Sequence, residues 1–193
     1  MRYRPEHKAK TREKIVVHAG RLFRRLGYDG VGIDGIMAAA KLTRGGFYGY
    51  FRSKKHLFAE VMRGEHDFNK RMQARRGMDQ ETLTREALEI VGGYLDPANR
   101  KRVGQGCAMA SLSVDVARAD RAVREAYADK VRDLTHEFAR GLERPADPDP
   151  RALASLALCV GGLVLARGVA DESLSRAMLS ACRAAVAEQL RRG

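Results

Sequence analysis

The stretch Ile33–Lys55, IDGIMAAAKLTRGGFYGYFRSKK, constrains the fold of this chain more than any other. Ile33, Ile36, Met37 and Ala40 recur at helical spacing, so a short first helix carries one apolar face. Lys41 and Leu42 make a turn, and Thr43 is placed to N-cap a second helix running to about Phe51. Phe47 and Phe51 lie four residues apart and can anchor that helix to the first. Arg44, Gly45, Gly46, Tyr48, Gly49 and Tyr50 are left at its front and outer side. Ser53 is an N-cap for a third helix that opens with Lys54 and Lys55. Two helices joined steeply by a short turn form a helix-turn-helix, whose second helix enters the DNA major groove. Two ordinary packed helices would show the same periodicity.

The side chains favour the DNA reading. Arg44 carries the planar fork that pairs with guanine N7 and O6, while Tyr48 and Tyr50 offer hydroxyls to phosphates or ring edges to thymine methyls. Gly45 and Gly46 permit close backbone approach to a phosphate. Thr11–Met62 resembles the N-terminal domain of the TetR/AcrR family of bacterial one-component repressors. The resemblance is carried by Ile15, Ala19, Leu22, Phe23, Gly27, Tyr28, Gly30, Ile33, Ile36, Ala40, Leu42, Thr43, Phe47, Tyr48, Phe51, Lys54 and Leu57. It implies that Arg44–Tyr50 is the DNA-reading helix and that Lys54 contacts a phosphate, with Lys55 beside it. Three positions depart from the family pattern. Gly32 replaces a hydroxyl residue at the first helix cap, Lys41 replaces the turn glycine, and Gly49 stands where a larger side chain often reads a base.

Charge is segregated along the chain. The formal net charge is +12, and residues 1–56 hold 14 Lys/Arg against 4 Asp/Glu, a net of +10. The remainder is close to neutral, which suits a polyanion-binding module joined to a different kind of partner. The expected division is a DNA-binding domain over 1–56 and a helical effector-binding and dimerisation domain over 57–193. Eight of the twelve aromatic residues precede residue 59, as a small three-helix core needs bulky filling. Cys107, Cys159 and Cys182 are widely spaced, with no CxxC, and suggest neither a disulfide framework nor a zinc site. The first ten residues lack the apolar core of a signal peptide, and the run Ala152–Ala166 falls short of a membrane span, so a cytoplasmic location is expected.

Taken in order, residues 1–7 form a basic arm, and Lys8–Leu26 is a helix stopped by Gly27. The helix from Ser53 is expected to continue to about Arg76. Helices follow over Glu81–Tyr94, Gly106–Ala117, Asp120–Leu142, Arg151–Val169 and Ser173–Leu190. Asp96–Gln105 reads as a loop and Arg144–Pro150 as a proline-rich linker. No strand or repeat is evident. The expectation is an all-α protein of about nine helices, a three-helix helix-turn-helix domain followed by a helical ligand-binding and dimerisation domain.

The resemblance implies that the middle segment encloses an effector pocket. Its candidates are Tyr94, Cys107, Met109, Leu112, Val116, Tyr127, Leu134 and Phe138, with His136 as a further polar group. That composition favours a small hydrophobic, aromatic or electrophilic effector, although apolar helical stripes are also ordinary cores. Cys107 follows Gly106 at a helix start, just after Arg100, Lys101 and Arg102, where a thiolate is favoured. A sensor thiol and a small buried hydrophobe both fit that position. The Gly-Cys pair also resembles family members whose effectors are reactive compounds.

The last two helices carry more apolar surface than one core needs. Leu156, Val160, Gly161 and Val164 on one, with Met178, Ala181, Cys182 and Ala185 on the other, are candidates for a homodimer interface, an arrangement the resemblance also implies. Catalysis has little support. The five histidines form neither HxxxH nor HExxH, and no GxSxG, P-loop or GxGxxG is present, so no enzyme, metal or cofactor is expected. The expected function is a ligand- or thiol-responsive repressor acting on a near-palindromic operator in double-stranded DNA. A non-specific nucleic-acid binder and a small-molecule enzyme with an incidental basic end are the alternatives.

Overall fold

The structure, a computed structural model, describes residues 5–64, 67–77 and 79–191. The first four residues of the expected basic arm and His66 lie outside them. Among the described residues the protein is all-helical, with ten α-helices, two 3₁₀ segments and no strand.

Helix α1 (Pro5–Leu26) ends at Gly27, whose φ of +75° places it in the left-handed region, with its N–H donating to Phe23 O at 2.8 Å. This is the glycine stop expected of a helix C-terminus. Helix α2 (Ile33–Ala39) begins at Gly32, which caps through an extended backbone and offers no side-chain bond. The turn then passes through Lys41 at φ +56°, the strained left-handed conformation that its replacement of glycine implied.

The second helix of the expected pair is different from its reading. Arg44–Gly49 is a 3₁₀ segment two residues shorter than anticipated, and Thr43 precedes it in extended conformation without a side-chain cap. Three glycines in six residues explain the shortening, since glycine carries the highest entropic cost of any non-proline residue in a helix. Gly46 N–H is taken by Thr43 O at 3.1 Å, a main-chain bond in place of the expected hydroxyl cap. Ser53 caps as expected, its Oγ accepting from His56 N–H at 3.1 Å at the start of α3 (Lys54–Arg63).

The long helix expected from Ser53 to Arg76 is broken. α3 stops at Gly64, which turns to φ −56°, ψ 145°, and the chain resumes as α4 (Asp67–Gln73). After α4, buried Arg75 ties three elements together. Its guanidinium donates to Met72 O at 3.0 Å, to Leu83 O at 2.9 Å and to Glu137 O.

α5 (Gln80–Tyr94) is capped by Asp79, whose carboxylate accepts from Thr82 N–H at 2.7 Å. The expected loop over 96–105 is partly helical, with α6 (Ala98–Lys101) and a 3₁₀ turn over Val103–Gln105. α7 (Ala108–Ala117) and α8 (Arg121–Ala139) follow, α8 capped by Asp120. α9 (Pro150–Gly168) and α10 (Glu172–Arg191) form an antiparallel pair. α9 is longer than the apolar run read from the sequence, and by length and composition alone it could cross a membrane. Its buried side is instead filled by Leu156, Cys159, Leu163 and Ala166 in the core of this chain.

Two cores result. The first joins Ile15, Phe23, Ile36, Phe47, Phe51 and Phe58, and continues into Ala108, Leu112 and Val116 of α7 and Val123 and Ala126 of α8. The N-terminal unit is therefore welded to the rest through α3 and α8 rather than hung on a linker. The second core lies among α4, α5, α7, α8, α9 and α10.

Candidate functional site

The basic end presents a small outward face. Phe47 is fully buried and Phe51 nearly so, with ring centroids 5.8 Å apart. Burial of one such ring contributes about 1.5–3 kcal/mol, enough to hold a segment as weakly helical as Arg44–Gly49 against α2. With Phe47 turned inward, Arg44, Gly45, Tyr48 and Gly49 are exposed. A Cβ on Gly45 or Gly49 would meet nothing within 4 Å, so these two glycines open the surface. Gly46 is half-buried on the inner side, where a Cβ would lie 3.8 Å from Met37 Cε. Tyr50 is also half-buried against the first core. Both stand behind the face to which the sequence assigned them.

Arg44 Nη1 lies 3.0 Å from Asp34 Oδ2 across the turn, an exposed pair that orients the guanidinium and costs little to break. Lys54 departs from its expected part. Its Nζ donates to Tyr28 O at 2.9 Å and Val31 O at 3.0 Å and sits 4.0 Å from the Tyr28 ring centroid. The ammonium pins the loop before α2 rather than pointing freely outward. Lys55, beside it, is exposed.

The candidates for the effector pocket do not stay together. Leu112 and Val116 belong to the core that joins α7 to the basic end, and Met109, Leu134 and Phe138 are buried in the second core. Tyr127 Oη lies 2.8 Å from Ser113 Oγ, half-buried between the two. Exposed His136 lines an outer groove with the 145–149 linker. Tyr94 and Cys107 line a common cavity, of about 220 Å³, between α4, α5, the 99–107 segment and α9. Phe68, Ile90 and Leu163 supply its apolar wall, and Arg71, Arg102 and Arg167 its basic groups.

Cys107 occupies the N-cap position of α7 and is buried at the cavity wall. Burial, with the Cys107 thiol beside it, pushes the Tyr94 hydroxyl well above its ordinary pKa. Burial likewise raises the Cys159 and Cys182 thiols. The 103–105 turn next to the cavity touches α1, where Arg24 Nε donates to Gly104 O at 2.9 Å.

The proposed dimer face also divides. Leu156 is buried in its own chain, and Cys182 packs inward so closely that a Cβ on Gly162 would lie 2.6 Å from its Sγ. These two are intramolecular. Val160, Gly161, Val164, Met178, Ala181 and Ala185 remain exposed or half-exposed, and Leu153, Leu165 and Leu174 are further exposed apolar side chains of the same helix pair.

Comparison with known proteins now bears on this geometry. The family model described as "Bacterial regulatory proteins, tetR family" matches residues 15–61, the segment that builds α1 to α3. Over residues 15–61 the chain is similar to the TetR family. The HTH-type transcriptional repressor DhaR of Mycobacterium sp. (strain GP1) is 25% identical over 114 residues, 59% of this chain and 56% of that protein. The chain thus spans about half the length of that curated relative. Reduced NemR of E. coli superposes with a TM-score of 0.75 at 21% identity, over 92% of this chain and 95% of the other. A TetR transcriptional regulator from Chloroflexus aurantiacus gives 0.70 at 24% identity, over 97% of both chains. At such identity these superpositions establish a shared fold.

Arg71, Asn99, Arg102 and Arg167 are cavity residues that sequence reasoning did not assign. Arg167 sits in the last turn of α9, where a basic residue is expected for dipole reasons alone, and nothing local marks it as part of a site.

Proposed function

We propose that this chain is a homodimeric, DNA-binding transcriptional repressor of a near-palindromic operator, released when an effector engages the cavity beside Cys107. The observation that carries the reading is the outward set Arg44, Gly45, Tyr48 and Gly49, on a segment pinned from behind by Phe47. An Arg fork beside two bare glycines gives a guanine-reading group and backbone close enough for phosphate contact. The +10 charge over residues 1–56 supplies the non-specific attraction.

The exposed apolar face of α9 and α10 supports pairing with a second copy through a four-helix bundle. A two-fold dimer sets its recognition segments about one DNA turn, roughly 34–36 Å, or somewhat more apart. The Arg24–Gly104 bond supports a route from the cavity wall to α1 and hence to the recognition segment. The name of the similar Mycobacterium protein, a transcriptional repressor, favours repression.

A mobility shift on DNA flanking the protein's own coding region tests this, at physiological salt with excess random competitor and protein of known oligomeric mass. The expected result is a discrete complex that resists competitor and maps to a near-palindrome. A shift that vanishes with competitor would instead mark a non-specific binder. The thiol arm is tested on that complex with iodoacetamide, which should release parent protein and spare Cys107→Ser. Equal release of both would end the sensor role of Cys107.

A further inference from the structure

The cavity beside Cys107 holds hydrogen-bond donors that the chain itself does not satisfy. Tyr94 is 7% exposed and lines the cavity, yet its buried Oη forms no hydrogen bond of good geometry, the neighbouring Cys107 thiol being only a weak partner. Arg167 spends Nη1 on Ser111 Oγ at 3.1 Å and Nη2 on Asn99 O at 3.2 Å, while its buried Nε–H is left unpaired. Burial lowers the Arg167 pKa, and no carboxylate forms a salt bridge with it among the described residues. A half-buried guanidinium without a counter-charge is costly, and an unpaired buried N–H adds to that cost. Gly106 keeps the group close, because a Cβ there would lie 2.9 Å from Arg167 Nη2.

The other polar side chains of the lining do not relieve this. Arg71 and Arg102 bring two more cations to the cavity, against one carboxylate, exposed Asp67. The Asn99 amide already donates to Gly93 O and Tyr94 O. Opposite the donors the wall is apolar, with the Phe68 and Tyr94 ring centroids 4.3 Å apart and Ile90 and Leu163 adjoining them. At about 220 Å³ the space is smaller than the roughly 300–1,000 Å³ of ordinary ligand pockets.

We propose that this cavity takes a small aryl carboxylate, its oxygens held by Arg167 Nε and Tyr94 Oη and its ring against Phe68, Ile90 and Leu163. The carboxylate provides the counter-charge that the guanidinium lacks, and its two oxygens meet the two idle donors. The proposal names the ligand class of the effector cavity and rests on the reading of that cavity given above.

Isothermal titration with benzoate and with benzamide, its neutral isostere, tests the proposal on the full chain at low salt. Benzoate should bind at least about tenfold more tightly than benzamide, the usual advantage of a charge-assisted pair. Arg167→Gln should bring the two ligands within about twofold of each other. Arg132→Gln, which removes the same charge from an exposed site on α8, should leave the preference intact. Tyr94→Phe keeps the ring in the core and should weaken benzoate several-fold, which serves even where Arg167→Gln fails to fold. Equal binding of the two ligands, no binding of benzoate, or a preference that survives Arg167→Gln would each overturn the proposal. Benzoate binding without release of operator DNA would support the carboxylate site and sink the effector reading. Release by iodoacetamide with no benzoate binding would do the reverse.

Discussion

Arg44 and Lys54 lie ten residues apart, both basic and both in the matched segment, yet their surroundings assign them different work. Arg44 is exposed and held only by Asp34, so DNA can take it at little cost. Arg44→Ala should relax the choice of one base pair in each half-site at a cost of about 1–3 kcal/mol, read by competition between operator and single-base variants. Equal losses on operator and random DNA would remove it as a base reader. Lys54 is engaged by two carbonyls and a ring. Lys54→Met should therefore destabilise the fold by about 1–3 kcal/mol in a urea titration. Lys55→Met should leave stability alone and reduce the salt slope of DNA binding by about one.

At the scale of elements, caps and close approaches decide where helices begin and how they meet. Asp149 starts α9 by accepting from Arg151 N–H at 2.8 Å and from Ala146 N–H at 3.0 Å. The Arg151 side-chain bond, followed by these main-chain bonds, holds its carboxyl far below the usual carboxylate range. A depressed folded pKa stabilises above the unfolded value, about 3.9, and that stability is lost as pH falls through the folded value. Asp149→Asn should thus cost about 1 kcal/mol at neutral pH, as a weakened helix cap does, and the gap from the parent should narrow below about pH 4. Thermal melts of both proteins from pH 7 to pH 2.5 would show it. Between α9 and α10 one close approach is Gly162 against Cys182, where an added Cβ would lie 2.6 Å from Sγ. Gly162→Ala should cost about 1–3 kcal/mol through overpacking, and Cys182→Ala in the same chain should recover much of it.

For the whole molecule, the two cores have different relations to solvent. The first closes around α1–α3 and the ends of α7 and α8, and leaves Arg44, two glycines and the Tyr48 ring at the recognition face. The second leaves Val164, 42% exposed, and Leu165, 58% exposed, uncovered on α9. An apolar strip along two long helices is the surface a second copy would cover. Val164→Glu should shift the sedimenting species from dimer to monomer and weaken operator binding, while the helix content stays unchanged. A dimer that persists would move the interface elsewhere. The cavity is lined by Leu163 and Arg167 of α9, the helix that carries this strip, and by Gln105 of the turn that Arg24 of α1 holds.

Periodicity, caps and charge order made the all-α architecture, the helix-turn-helix and its buried anchors Phe47 and Phe51 legible from the sequence. Each is encoded within a few residues, where spacing determines which side chains share a face. The left-handed Lys41 and the Ser53 cap were legible for the same reason. The 3₁₀ form of Arg44–Gly49 and the break at Gly64 were harder to read, because glycine permits several backbones and packing selects among them. The cavity was decided by tertiary structure alone. Phe68, Tyr94, Cys107 and Arg167 come from four separate parts of the chain, and no local pattern records that their faces converge. Nor could spacing show that Leu156 turns inward while Val164 stays outside, or that Lys54 donates to two carbonyls of the loop before α2. Those outcomes depend on which neighbour fills each space, and that neighbour is distant in sequence.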